Sequence, residues 1–233
     1  MSLIPPLPPL YRRSLGDQVY TMIRESIVYL RMEPGSMIYE NELTVALKVS
    51  RTPIREAIRL LVSEQLLEVL PQRGTRISQI SERKVGEVRF IREQLETGAF
   101  RMAARLWKDA DRKQTKQLLL DLMDKQQAAA EIKDVALFLQ LDEAFHHTIM
   151  EVTGNETLLQ VINHMRAHLN RLRYLALKEF HSLDRIVEEH RALLAAIEQG
   201  DEGLAVAKLG QHINKLDQEL PELRSLYPHY FIP

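Results

Sequence analysis

The sequence predicts a mostly α-helical protein, with a short N-terminal domain that ends in a β-hairpin and a longer C-terminal domain built from helices alone. Apolar residues recur at helical spacing through most of the 233 residues. The stretch with the composition of paired strands is residues 67–78, around the turn Pro71-Gln72-Arg73-Gly74. After about residue 84 glycine and proline are scarce, so long helices can continue without interruption.

The N-terminal domain begins with a predicted helix at about residues 17–31, which ends at Glu33-Pro34-Gly35-Ser36. A second helix with one buried apolar stripe follows, and Lys48-Val49-Ser50 forms the turn after it. We expect the third helix to start with Thr52 as its hydroxyl cap and Pro53 in the first helical position.

Arginines of the third helix, Arg51, Arg55 and Arg59, are four residues apart and therefore share one face. A guanidinium donates two parallel hydrogen bonds, which suits guanine edges and phosphates. Charge runs are usually only solvated faces. The order of helix, turn, arginine-bearing helix and glycine-turned hairpin is more specific, because it is that of a winged helix-turn-helix. We therefore predict binding to double-stranded operator DNA.

Charge and composition limit the classes of protein that fit. The net charge is −1, with ten Lys and Arg against eight Asp and Glu in residues 1–77, and 21 against 24 in residues 78–233. This small N-terminal excess gives weak support for DNA contact there. Because cysteine is absent, disulfides and thiolate metal sites are excluded. No apolar run reaches the length of a membrane span, and the start MSLIPPLPPL lacks the charged region of a signal peptide, so we expect a cytoplasmic protein without membrane association.

The predicted domain order follows from these patterns. It comprises a flexible proline-rich arm at 1–13, the DNA-binding domain at 14–78, a linker at 79–84, a helical effector-binding domain at 85–221 and a tail at 222–233. The helical domain is predicted to be an antiparallel bundle, since its connections are short. Gly154, Gly200 and Pro221 mark breaks between helices. The predicted helices lie at roughly 82–106, 111–131, 134–152, 156–178, 182–199 and 202–219.

Histidines on apolar helix faces are a second signal. Asp142 and His146 are four residues apart and lie on one largely apolar face. His190 and His212 each lie at the centre of another apolar stripe. Polar groups in a core are costly unless they have partners. One Asp and three His can satisfy each other through a single divalent cation, with zinc as the first choice and nickel, manganese or iron as alternatives.

Other interpretations of these histidines stay open. A single histidine on an apolar face is more often a hydrogen-bonded core residue than a ligand. His164 and His168, also four apart, form a competing pair, although their neighbours indicate a mixed or exposed face. A bound ion could be purely structural. An ion with an open position could also activate water in an enzyme, but the pattern contains no separate general base.

These motifs resemble those of the GntR family of bacterial transcription regulators, in the FadR-like branch with an all-helical FCD ligand domain. The resemblance extends over about residues 14–220. The matching motifs are Glu42-Leu43, the run Ser50-Arg51-Thr52-Pro53-Ile54-Arg55-Glu56-Ala57, Gly74 in the hairpin, Arg92-Glu93-Gln94-Leu95-Glu96, Asp142-Glu143-Ala144-Phe145-His146, Gly154-Asn155, His190 and His212.

For the DNA-binding domain, the resemblance implies specific contacts. Arg51 and Arg55 match arginines that contact operator DNA, and Gly74 matches the tip of the wing. Arg73 would add a phosphate or minor-groove contact. The FadR-like branch often has an arginine where this chain has Asn41, so that contact is weakened or replaced. The complete expected set is Arg51, Thr52, Arg55, Arg59, Asn41, Arg73 and Gly74.

For the helical domain, the resemblance implies a homodimeric regulator, expected to be a repressor, with a metal ion on Asp142, His146, His190 and His212. Family members that bind acyl-CoA lack this set, which argues against such an effector. A small carboxylate would complete the coordination of the ion and shift the relative placement of the two DNA-binding heads. Arg92 would pair with the carboxylate, although an ion pair with a helix neighbour is an equal alternative. Asn214 is a weaker candidate for effector binding.

Overall fold

The computed structural model describes residues 14–108 and 112–233. The expected proline-rich arm at 1–13, and residue 111 at the start of one predicted helix, lie outside the described residues. The chain divides into two compact units after Ser78. In the described ranges, no helix is both long and apolar enough to cross a membrane.

The N-terminal unit combines three helices with a small antiparallel sheet. Its elements are α1 (Leu15–Val28), β1 (Met37–Ile38), α2 (Glu40–Leu47), α3 (Arg51–Ser63), β2 (Leu67–Leu70) and β3 (Gly74–Ile77). The sheet has the order β1-β3-β2, with Glu68 opposite Arg76 in the hairpin. Ile23, Ile54 and Leu61 form its core. The predicted winged helix-turn-helix is therefore confirmed.

The starts of two helices differ from the prediction. α1 begins at Leu15 because Ser14 caps it: Ser14 Oγ accepts from the Asp17 N–H at 3.0 Å. α3 begins at Arg51 with Ser50 in the N-cap position, so the prediction that Thr52 caps this helix was wrong. Pro53 is its third residue. This is tolerated because the first four N–H groups of a helix have no partner within the helix.

The C-terminal unit is a helical bundle with one pair of short strands. Its elements are β4 (Ile80–Ser81), α4 (Glu82–Trp107), α5 (Lys113–Glu131), α6 (Val135–Glu151), α7 (Glu156–Phe180), α8 (Leu183–Gln199), α9 (Glu202–Ile213), α10 (Leu216–Leu226), a 3-10 turn (Pro228–Tyr230) and β5 (Phe231–Ile232). α4 packs against α6, α7, α8 and α9, and α5 packs against α6 and α8. Phe100, Phe145, Ile149 and Leu193 are fully buried in this core.

The expected linker and tail both contain regular structure. In the linker at 79–84, Ile80–Ser81 is a strand and α4 already begins at Glu82, because the Ser81 hydroxyl caps it. In the tail at 222–233, Phe231–Ile232 pairs with that strand in parallel. Pro221 was expected to mark a break, but it lies inside α10. The turn at residues 214–215 already separates α9 from α10, so the proline falls in the second turn of a new helix.

Candidate metal centre and DNA-contacting surface

Helix α6 places Asp142 and His146 one turn apart. Asp134 caps this helix by accepting from the Leu137 N–H at 3.0 Å. From there the 3.6-residue period turns both side chains into the core, where Asp142 is 0% and His146 is 2% exposed.

Helices α8 and α9 supply the other two candidate ligands. His190 comes from the middle of α8 and is fully buried, and the His212 side chain comes from the last turn of α9 and is 6% exposed. The structure brings these residues together with Asp142 and His146, with one ligand atom from each within 4.8 Å of all the others. Four residues from three helices therefore form one buried cluster.

Each imidazole is oriented by a partner on its outer nitrogen. The three Nδ1 contacts are His146 with Glu96 Oε2 at 2.9 Å, His212 with Glu189 Oε2 at 2.9 Å and His190 with Gln126 Oε1 at 2.8 Å. An ionised carboxylate and an amide oxygen can only accept, so each Nδ1 carries the proton and donates it. The Nε2 lone pairs then point inward, the arrangement found around protein-bound metals.

The inner nitrogens face each other, and neutral rings with Nδ1 protonated have no hydrogen between them. His146 Nε2 and His212 Nε2 are 3.2 Å apart, and His190 Nε2 is 3.5 Å from Asp142 Oδ1. Among the described residues, neither His190 Nε2 nor Asp142 Oδ1 has a hydrogen-bond partner, although both atoms are buried. Four buried acceptors that converge need a cation to offset their mutual repulsion. The donor set of three imidazoles and one carboxylate fits a divalent ion.

Burial disfavours protonation of two of these histidines. It holds the pKa of His190 well below its usual range, and the neighbouring His212 lowers it further. Burial also lowers the pKa of His212 to about 3, with His146 adding to the effect. The neutral imidazole is the form that binds metal.

The carboxylates of the centre stay ionised. Burial alone would raise the pKa of Asp142, but the ion pair with Arg173 and the nearby imidazoles outweigh it, so that pKa lies well below its ordinary value. Glu96 is also buried, and Arg92 together with His146 lowers its pKa in the same way.

Arg92 lies beside the centre, where it is paired with a helix neighbour. Its Nε donates to Glu96 Oε1 at 2.6 Å, four residues along α4. This is the alternative foreseen for Arg92, although the same side chain also lines the adjoining clefts. Asn214 is exposed just after α9 and lines neither cleft. His164 is exposed and His168 contacts Arg171 at 3.2 Å, so this competing pair lies outside the cluster.

Two clefts flank the centre. The first is about 460 Å³ and reaches His146, and the second is about 590 Å³ and reaches His212. Arg92 and Arg173 line both clefts, and Lys215 lines the second. A small anion could approach the centre from either side.

Sequence reasoning missed the residues that support the ligands. Glu96 lies within a matched motif, four residues after Arg92, and could have been noticed from that spacing. Gln126 is a fully buried polar residue on the apolar face of α5. Glu189 and Arg173 carried no signal, because only the packing of α7 and α8 decides what they contact.

The arginine face of α3 is exposed, with the apolar face of the helix buried. Arg51 Nη2 donates to Asn41 Oδ1 at 3.0 Å, and Arg55 Nε donates to Glu40 Oε2 at 2.9 Å. Residues of α2 thus orient the first two arginines of α3. The expected contact residues exposed on α3 are Arg51, Thr52, Arg55 and Arg59.

The wing turns at Gly74, which has φ +109°. A Cβ atom there would lie 3.1 Å from the terminal methyl of Met37 in a backbone conformation that other residues rarely adopt. The glycine therefore allows the tight turn that leaves Arg73 exposed at the tip.

Two family models match the chain. Residues 15–77 match the model described as "Bacterial regulatory proteins, gntR family", and residues 87–215 match the FCD domain. The chain belongs to the GntR family. This regulator therefore has a GntR DNA-binding domain and an FCD domain, as the motifs predicted. GntR regulators bind operator DNA, and FCD domains bind small-molecule effectors.

Relatives of this GntR regulator are DNA-binding transcription factors. An uncharacterized HTH-type transcriptional regulator of Streptomyces ambofaciens is 30% identical, over 94% of this chain and 90% of its own. The repressor RspR of Escherichia coli K12 is 26% identical over 93% of each chain. The E. coli McbR/YncC structure has the same fold, with a TM-score of 0.78, 23% identity and coverage of 93% and 100%. These families are transcriptional regulators, so the enzyme alternative is excluded.

Proposed function

We propose that this regulator is a repressor whose operator affinity is controlled by a small organic acid bound at a divalent ion on Asp142, His146, His190 and His212. One observation carries the proposal. Four buried ligand atoms converge, and neutral rings whose Nδ1–H groups donate outward have no proton to place between them. A cation at their centre would turn this repulsion into coordination.

Zinc is the proposed ion, since three imidazoles and one carboxylate are ligands it commonly takes. Nickel, manganese and iron accept the same ligands, and their availability decides among them. When bound, the ion supplies a Lewis-acid position for a carboxylate oxygen of the effector.

The charges around the centre favour an anionic effector. Three acids beside the imidazoles, Asp142, Glu96 and Glu189, form ion pairs with four bases, Arg92, Arg173, Lys215 and Arg185. A divalent ion would therefore add two positive charges to a group that has no excess of acids. In this poorly solvated region an organic acid is favoured over a neutral or cationic ligand.

Arg92 and Arg173 would orient the effector. Both guanidiniums are largely buried and line both clefts, yet each already forms an ion pair with a carboxylate. A bound carboxylate can share their remaining N–H donors, because each guanidinium has five. Effector binding would thus change contacts on α4 and α7 together.

We further propose that the regulator acts in the cytoplasm as a homodimer on a pseudo-palindromic operator, with one α3 in each major groove. α4 leaves apolar side chains exposed, among them Phe90 at 63%. Such a surface suits a second copy of the chain. Since effector and operator act on one equilibrium, each must change the affinity for the other by the same factor.

Thermal unfolding with a panel of mono-, di- and tricarboxylates tests the proposal, first with zinc-loaded protein and then after chelation. A ligand specific for the folded state stabilises it by RT ln(1 + [L]/Kd), about 2.7 kcal/mol at 100 Kd. A stabilising acid whose effect disappears on chelation, and in the Asp142→Ala variant, supports the metal-centred sensor. Stabilisation that survives chelation would place the effector elsewhere. No stabilising acid, together with a large loss of stability on chelation, would indicate a purely structural ion.

A further inference from the structure

The first residues of the C-terminal unit are held by the last residues of the chain. Ile80–Ser81 begins two residues after Ser78, the last residue of the DNA-binding unit, and it pairs in parallel with Phe231–Ile232. Ile80 is fully buried and Phe231 nearly so. About 150 residues separate the two strands in sequence, so the pairing depends on the fold of the whole unit.

Side chains reinforce this pairing. Gln79 Nε2 donates to the His229 carbonyl at 2.8 Å, and Ser81 Oγ donates to the Pro233 carbonyl at 3.4 Å. Arg171 of α7 is completely buried, and its Nη2 lies 3.5 Å from the Gln79 carbonyl. A buried guanidinium is costly unless its surroundings compensate it. The backbone at Gln79 is therefore held both by Arg171 and by the C-terminal residues.

The C-terminal residues that follow α10 are connected to the candidate metal centre through that helix. Glu189, which orients His212, also forms an ion pair with Lys215, the residue directly before α10. α10 packs against α7 and spans about 16 Å at 1.5 Å per residue. At its far end Tyr227 donates to Glu179 Oε1 at 2.6 Å.

We propose that residues 227–233 form a clasp that orders residues 79–82, and that α10 couples this clasp to occupancy of the metal centre. The coupling rests on the proposed metal function; the clasp itself does not. A bound ion would hold His212 in place, and through the His212–Glu189 hydrogen bond and the Glu189–Lys215 ion pair it would fix the start of α10. Without the ion this end of the helix would be less restrained, and the clasp would loosen. The segment entering from the DNA-binding unit is then ordered in one state and mobile in the other.

Hydrogen exchange of the full chain tests both parts, with zinc-loaded and chelated samples compared and zinc content measured on each. We expect chelation to speed exchange in peptides covering 79–82 and 227–232 at least fivefold, the lower end of common coupling between sites. A chain that ends at Tyr230 should exchange fast at 79–82 with and without zinc, while retaining one zinc. Gln79→Ala, which removes one contact outside the helical core, should show a smaller change in the same direction.

The outcomes separate the two proposals. Zinc bound to the full chain without any change at 79–82 on chelation would overturn the coupling. Slow exchange at 79–82 in the chain that ends at Tyr230 would overturn the clasp. A full chain that binds none of zinc, nickel, manganese and iron would overturn the proposed metal function and the coupling with it, and the shortened chain would still decide the clasp.

Discussion

The Nε2 atoms of His146 and His212 lie 3.2 Å apart, while the opposite nitrogen of each ring contacts a carboxylate. A neutral ring cannot place a proton between them without giving up its bond to Glu96 or Glu189. Three hydrogen bonds to the imidazoles and the ion pair of Asp142 with Arg173 therefore maintain an arrangement that is unfavourable without a cation. Because each ligand has its own supporting partner, the contribution of each residue to metal binding can be tested by a single substitution.

His190→Ala should reduce zinc binding below one ion per chain after dialysis and abolish any metal-dependent effector response. The variant removes one of four ligands, and DNA affinity of the metal-free protein should remain measurable because α3 is untouched. Metal analysis checks this, with His164→Ala as the matched control, since that histidine is exposed and outside the cluster. Full zinc occupancy in His190→Ala would show that the ion binds elsewhere, with His164 and His168 as the next candidate ligands.

Glu96→Gln should weaken zinc binding about 10- to 100-fold, because partners of metal-binding histidines contribute on that scale. The amide can no longer enforce the His146 tautomer, and Arg92 loses its buried counter-charge. Competition with a chromogenic chelator measures the affinity. Glu87→Gln makes the same change at an exposed position of α4 and should leave the affinity unchanged. Equal affinities for the two variants would show that Glu96 only supports the fold.

The metal-free protein should lose stability as the pH falls from 7.5 to 5.5. The pKa values of His190 and His212 are lower in the folded protein than in the unfolded chain, where they are about 6.5. Below that pH the unfolded chain therefore binds protons that the folded protein does not bind. The free energy of unfolding then falls as the pH falls, by about 1 kcal/mol for each such histidine at pH 5.5. Asp142 and Glu96, with lowered pKa values, contribute only below about pH 4. Urea unfolding of chelated protein measures the change, and unchanged stability would mean that these imidazoles accept protons in the fold.

Arg55→Ala should weaken operator binding by about 1–3 kcal/mol, the range for a specific base contact. Its pair with Glu40 is exposed, and such pairs contribute little to folding, so the unfolding transition should barely move. Binding to an operator duplex selected with the full-length protein provides the measurement. Arg83→Ala removes an exposed arginine from the other unit and serves as the control for net charge. Equal affinity of wild type and Arg55→Ala at physiological salt would contradict the assignment of α3 as the recognition helix.

Local patterns in the sequence determined most of the secondary structure, and most residues of the proposed metal centre and of the proposed DNA-contacting surface. The four-residue spacings of Arg51 and Arg55, and of Asp142 and His146, place each pair on one helix face whatever the rest of the fold does. Helix ends were less certain, as α3 shows: it begins at Arg51 after Ser50, whereas Thr52 was predicted as its cap and Pro53 as its first residue. Caps depend on the backbone conformation of one or two turn residues, which composition specifies poorly.

Only the tertiary structure decided which polar groups support the centre. Glu96, Gln126 and Glu189 come from α4, α5 and α8, and each meets its histidine because of how the helices pack. The pairing of Ile80 with Phe231 arises in the same way. Periodicity along one helix determines which face is buried. It carries no information on which neighbour covers that face, since this depends on the energy of the whole packed core.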